Sequence, residues 1–375
     1  MPERVATGAA DDAGGAGTGV DARAPGTSGG AHGGGKDGGP EAPAPPEFPA
    51  GRAERRIAFA RLRDLALIPP IIVIAIVGQM VNSVFLRADN LVNVLQTMSE
   101  IAVLVLAQTM VLIVRKMDLS LESTCGLAPG IAAWLVVPVG AGHGLGLLPG
   151  GWAVPVTLAV GLLIGAVNAL FIVNFGLNGF IVTLGMLIVL RGILTGISGG
   201  QTFFHLPESM LYLGTAQWFG MPASVWVCLV LFAVGIVVLG FTGFGRSLYA
   251  IGGNVDAARA AGIRTERVLW TVMVTAGGLA ALSGLMLSGR LASVASAQGE
   301  GYIFTVFAAA VIGGISLSGG KGSVFGAFTG ILLLFLIQNV LTLGGVPAQW
   351  IGALNGAIIL IALALSRVTG GKAQD

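Results

Sequence analysis

Charge is scarce in this chain. Only 10% of its 375 residues are Asp, Glu, Lys or Arg, against about 25% in soluble domains. So few charges cannot clothe a water-facing surface, which excludes an ordinary soluble fold. Cysteine is nearly absent. Cys125 and Cys228 lie far apart in apolar runs, without disulfide or metal spacing, and read as small buried residues. The three histidines, His32, His143 and His205, form no cluster. With no paired carboxylates either, a membrane enzyme is disfavoured, and no metal or cofactor is expected. A net charge of +2 is too small to suggest nucleic acid.

What the chain has is apolar length. Hydrophobic residues make up 54% of it and the mean hydropathy is +0.87. Apolar stretches of about 20 residues recur about ten times, near 66–86, 92–114, 119–137, 152–173, 178–197, 222–242, 267–289, 303–318, 322–343 and 348–366. The third and eighth are short or glycine-rich and read as broken or re-entrant. The expected fold is an all-α polytopic membrane protein, with a membrane domain over 51–370. Residues 1–50, rich in Gly, Ala and Pro, are expected to be a disordered cytoplasmic tail. They have no continuous apolar run of the kind a secretory signal needs.

Basic residues set an orientation. With the N-terminus in the cytoplasm, inside loops hold the arginines from Arg52 to Arg63, Arg115, Lys116, those from Arg246 to Arg267, Lys321, Arg367 and Lys372. Outside loops hold Arg87 and Arg290. This asymmetry fits an even number of spans with both termini inside. Asn168-Ala169-Leu170 recurs as Asn339-Val340-Leu341, and Gly185 recurs as Gly356 at the same offset. Five spans apart, the copies would be oppositely oriented, a 5+5 inverted repeat. Chance matches in apolar sequence are an equal reading.

The loop 243–266 is a polar island between apolar runs. Gly252-Gly253-Asn254 reads as a sharp turn before a short helix, with Asn254 as N-cap and Asp256 in the first turn. Ala257, Ala258 and Arg259 continue that helix, and Gly262, followed by Ile263, stops it. The plain alternative is a connector held inside by its arginines.

This loop resembles the coupling loop of the sugar-type ABC importer permeases, the membrane subunits of ribose, xylose and galactose systems. Gly245-Arg246, Tyr249 to Asn254, Asp256-Ala257-Ala258-Arg259 and Gly262-Ile263 carry the likeness, with Asp256 standing for the usual Glu. Elsewhere, Asn178 to Gly185, Leu190-Arg191-Gly192, Gly199-Gly200-Gln201, Gly299 to Tyr302, Val311 to Gly314 and Ser316 to Gly320 are similar to the family's stretches. The likeness covers about residues 65–366.

One stretch departs from the family. Its usual Gly-x-Asp-Leu-Ser-Val-Gly is here Lys116-Met117-Asp118-Leu119-Ser120-Leu121-Glu122. Asp118 and Ser120 are kept as structural residues, with Asp118 a candidate N-cap for the next span. Both glycines are lost, and Lys116 is placed to pair with Glu122. Arg191 is the charge deepest in a span. It reads either as a donor lining a solute path or as a packing arginine near the outer end. Residues 313–323 fail the P-loop pattern, since Ile315 and Gly322 stand where Gly and Ser/Thr are needed. They read as a tight turn with Ser316 and Ser318 satisfying the backbone. Gly161/Gly165 and Gly326/Gly330 suit close helix contacts, or are scattered glycines.

The resemblance implies an inner-membrane permease in which the segment from Gly245 to Ile263 docks on a cytoplasmic ABC ATPase. A periplasmic solute-binding protein would deliver the solute, and two permease copies in the lipid would form the path. ATP hydrolysis would belong to the partner, not to this chain. Asn178, Phe180, Thr183, Arg191 and Gln201 are the expected path residues. The alternative is a secondary transporter driven by an ion gradient, which requires broken helices or acidic residues near the bilayer centre. Glu100 and Glu122 are the candidates, and both fall near predicted span ends.

Overall fold

In a computed structural model, the chain is described over residues 66–140, 143–347, 349–350, 352–354, 356–357 and 360. The N-terminal tail, the arginines from Arg52 to Arg63, Arg367, Lys372 and most of the last predicted span lie outside these residues.

The described part is helical, with one two-residue hairpin, β1 (Gln217–Trp218) against β2 (Met221–Pro222). The helices are α1 (Ile68–Val81), α2 (Ala88–Ile113), α3 (Leu121–Val136), α4 (Ala153–Ala169), α5 (Gly179–Ser198), α6 (Glu208–Thr215), α7 (Ala223–Phe241), α8 (Gly243–Gly253), α9 (Val255–Ala260), α10 (Thr265–Leu291), α11 (Tyr302–Ile312) and α12 (Val324–Leu343). A 3-10 turn at Gly150–Trp152 and a π turn at Leu170–Asn174 extend α4 into one apolar rod of 25 residues. Six rods, at 88–113, 150–174, 179–198, 223–241, 265–291 and 324–343, are long and apolar enough to cross a bilayer. At about 1.5 Å per residue the shortest spans about 28 Å.

Of the ten expected spans, six are helices long enough to cross a bilayer, those near 66–86, 119–137 and 303–318 are shorter apolar helices, and the last lies mostly outside the described residues. The eighth ends at Ile312, not 318, because Gly313 to Gly322 leave the helix for a loop.

Helix α2 is the central post, buried along most of its length. Helix α10 packs on α2, α3, α4 and α6. Apolar burial gives little drive between helices in lipid, so close approach and van der Waals contact must hold them. The glycines provide that approach. A Cβ at Gly161 or Gly165 of α4 would run into the α10 backbone at Gly277 or Met273. A Cβ at Gly326 or Gly330 of α12 would strike Gly313 or Ala309 of α11. Both GxxxG pairs are therefore real contacts.

Two of the helices are short and begin inside the bundle. Glu100 is the thirteenth residue of the 26 in α2, so its carbonyl marks mid-height. Ser283 Oγ of α10 donates to that carbonyl at 2.6 Å and lies 3.8 Å from Cys125 Sγ, in the second turn of α3. Gln298 Nε2, on the segment leading into α11, donates to the Cys125 carbonyl at 3.1 Å. Helix α3 therefore starts near mid-height, one turn from Cys125. Helix α11 starts there too, because the Ile303 N–H donates to Glu122 Oε2 at 3.2 Å. The third and eighth spans are broken, as their sequence suggests.

Candidate functional site

Two regions carry the polar residues that matter. The first is the end of the bundle bearing α8 and α9. Thr242 caps α8 through its hydroxyl, which accepts from Gly245 N at 3.2 Å. Leu248 and Ile251 sink into the main core, while Arg246 stays exposed. Gly245 is buried against the Leu239 backbone. Gly252 and Gly253 form the last turn of α8 rather than a sharp turn. The reason is proximity: a Cβ at Gly252 would collide with Ile113 O and Gly320 N. The Gly320 N–H donates to Ile113 O at 2.9 Å, and Tyr249 Oη donates to Gly322 O at 3.0 Å. Helix α8 is thus seated at once on the end of α2 and on the 313–322 loop. Within that loop Ser318 N donates to Ser316 Oγ at 3.2 Å.

Asn254 is the N-cap of α9, its Oδ1 accepting from Asp256 N at 2.9 Å and Ala257 N at 3.0 Å. At the other end Gly262 sits at φ +81°. Its N–H donates to Arg259 O and the Ile263 N–H donates to Ala258 O, at 2.9 and 3.1 Å. This is the Schellman closure that a left-handed glycine permits. Ala258 is buried, whereas Asp256, Ala257 and Arg259 are exposed, with Asp256 and Arg259 3.8 Å apart. The result is a rigid six-residue helix, capped at both ends, with one face on the core and the other free.

The second region lies at mid-height. Arg191 of α5 donates from Nη2 to Glu122 Oε1 of α3 at 3.2 Å and from Nη1 to Glu300 Oε2 at 2.9 Å. Glu122 is almost enclosed, with 7% of its side chain exposed, against 70% for Glu300. The expected Lys116–Glu122 pair is therefore not formed. Residues 114–120 are not helical, so that spacing does not bring the two onto one face, and the Lys116 stem lies beside Gly179 instead. Glu122 also caps α11, where a carboxylate meets the positive end of the helix dipole. Nearby, Arg290 grips Glu100 through Nε and Nη2 at 2.6 and 3.0 Å. Glu100 and Glu122 are thus deep, not near span ends. Helix α2 begins at Ala88, earlier than hydropathy shows, and α3 begins inside the bundle.

Asp118 is not the N-cap of α3; Ser120 holds that position. Asp118 Oδ1 instead accepts from Ser120 N and Oγ, at 2.9 and 2.6 Å, and Asn168 Nδ2 donates to Ser120 Oγ at 2.8 Å. This buried knot fixes the non-helical stretch between α2 and α3. Of the expected path residues, Asn178 is occupied as N-cap of α5, accepting from Phe180 N and Ile181 N. The Thr183 hydroxyl is buried and donates to Gly179 O at 2.8 Å. Phe180 and Gln201 are exposed, and Arg191 is half-buried. Sequence reasoning missed Glu300 as a partner of Arg191, 109 residues away. It also missed Arg290 as a partner of Glu100, 190 residues away, because it put Arg290 in an outside loop and Glu100 near a span end.

Residues 90–363 match the family model described as the branched-chain amino acid transport system / permease component. The chain belongs to this transport-permease family. Among its relatives is the ribose import permease protein RbsC of Haemophilus influenzae, 32% identical over 83% of this chain and 95% of the relative. RbsC of Escherichia coli is 33% identical over 80% and 92%. The autoinducer 2 import system permease protein LsrC of Salmonella paratyphi B is 33% identical over 74% and 78%. No solved structure matches. The resemblance to sugar-type ABC importer permeases is thus borne out, and the permease is a multi-pass protein of a bacterial inner membrane. These relatives are named as import permease proteins.

Proposed function

We propose that this permease is the membrane subunit of an ATP-driven importer for a monosaccharide or similar polar solute, working by alternating access. The single observation that carries this reading is the build of α8–α9. A connector needs neither two caps nor a glycine pressed onto two other backbones, but a lever does. In this reading the exposed face of α9 docks on a cytoplasmic ATPase. Helix α8 passes its displacement to the end of α2 and to the 313–322 loop, which joins α11 to α12. A periplasmic binding protein delivers the solute, and two copies of the chain enclose the path between them.

The pattern of lengths supports an inverted repeat. Each half runs from a long helix, α2 or α10, to a short one begun at mid-height, α3 or α11, and then to a glycine-faced rod, α4 or α12. In this reading the α8–α9 end faces the cytoplasm and both termini lie inside. Helix α5 borders the path with Phe180, Arg191 and Gln201, while Asn178 and Thr183 hold its first turn in place. The sugar class follows the ribose relatives; the family description names branched-chain amino acids instead, so both solute classes belong in the assay.

Broken helices and deep carboxylates also suit a gradient-driven transporter, but family membership favours the ATP-driven reading. The test is uptake of labelled ribose and of leucine into vesicles carrying the complete transport system. Dependence on ATP at the α9 face, and loss of uptake when residues 256–259 are scrambled, is the expected result. Uptake that follows a proton or sodium gradient and survives the scramble would overturn it.

A further inference from the structure

The Arg191 cluster does more than hold helices together. It joins two carboxylates to one guanidinium, a formal charge of −1, at mid-height in a chain with few charges. The other deep pair, Glu100 with Arg290, is neutral and its carboxylate is enclosed. The cluster is also polarised in its exposure. Arg191 is pinned by both terminal nitrogens, Glu122 is enclosed, and Glu300 is the member turned outward. Phe304, in the first turn of α11 and four residues after Glu300, is exposed as well. Whatever approaches the cluster from its exposed side meets a carboxylate first, not the arginine.

Around the enclosed Glu122–Arg191 pair a low dielectric strengthens that field, and the positive end of α11 at Glu122 offsets only part of it. We propose that Glu122, Arg191 and Glu300 form a net-negative charge filter at mid-height of the solute path, admitting neutral and cationic solutes and rejecting anions such as sugar acids and sugar phosphates. In this arrangement Glu122 is a positioning residue and Glu300 is the member that meets the solute. They neutralise what would be an anion-attracting arginine, and the exposed Glu300 carboxylate is left to accept from hydroxyl or ammonium groups. The inference deepens the proposed function and rests on α5 bordering the path.

The test reads charge selectivity without needing the solute or ATP. Phe304→Cys is made in the full-length chain in membranes; the two native cysteines are buried, so the unmutated chain is the blank. Rates of labelling are compared for a cationic and an anionic reagent, aminoethyl and sulfonatoethyl methanethiosulfonate, each normalised to its rate with a free thiol. The expected ratio is about tenfold in favour of the cation, falling severalfold with Glu300→Gln and restored with Glu300→Asp. Glu300 is exposed, so its replacement leaves the Glu122–Arg191 pair and the fold in place. A ratio near one, a ratio unmoved by Glu300→Gln, or no reaction with either reagent overturns the filter. Loss of ATP dependence in the uptake assay would instead overturn the importer reading, and the two failures are separable.

Discussion

The α8–α9 end and the mid-height cluster are built on opposite plans. At the α8–α9 end, the caps of α9 come from neighbours in sequence: Asn254 caps the helix it precedes, and Gly262 closes the helix it follows. Its charges are exposed and weakly paired, with Asp256 and Arg259 3.8 Å apart. At mid-height, no residue acts locally. Glu122, Arg191 and Glu300, and Glu100 with Arg290, pair across 69 to 190 residues, and their charges are held by direct hydrogen bonds. The surface proposed to meet a partner leaves its charges in the open, whereas charges in the interior need partners before the spans can close. Stability should therefore be sensitive to the interior, and transport to the end.

The largest effect should come from Arg290→Gln. Removing one partner leaves Glu100 charged, enclosed and alone, a loss of about 3–5 kcal/mol, read as a fall in the thermal midpoint of the purified protein. Adding Glu100→Gln should recover most of it. If the single change is silent, the interior is wetter than its geometry indicates. Next is Gly252→Val, which must push α8 off Ile113 and Gly320. Overpacking of this kind costs about 1–3 kcal/mol, and ATP-driven uptake should fall more than tenfold even where folded protein remains. Asn254→Ala removes the cap of α9, about 1 kcal/mol, and should weaken ATPase binding while the thermal midpoint moves little. The smallest stability effect belongs to Asp256→Ala. The exposed pair contributes only a few tenths of a kcal/mol, so any large loss of uptake there must come from docking. Equal effects on stability and transport at all four positions would erase the contrast between the two regions.

The same contrast explains what could be read from the sequence. Span positions were legible because twenty-residue apolar runs are a one-dimensional signal, and α9 was legible because its caps lie within a few residues of it. The shortness of the third and eighth spans was visible, but not that α3 and α11 meet through Glu122 and Ile303 N. The Lys116–Glu122 pairing failed because it assumed regular geometry across a stretch fixed by Asp118, Ser120 and Asn168. The role given to Gly252 failed differently: a glycine needed for close approach looks, in sequence, like one needed for a turn. Only the position of Ile113 and Gly320 tells them apart.

Whether α8–α9 is a lever turns on which side of the membrane α9 faces and what covers it. Asp256→Cys should react with a membrane-impermeant maleimide only from the cytoplasmic face, and bound ATPase subunit should slow that labelling at least about tenfold. Labelling from the periplasmic face alone, or labelling that the ATPase leaves unchanged, would contradict it.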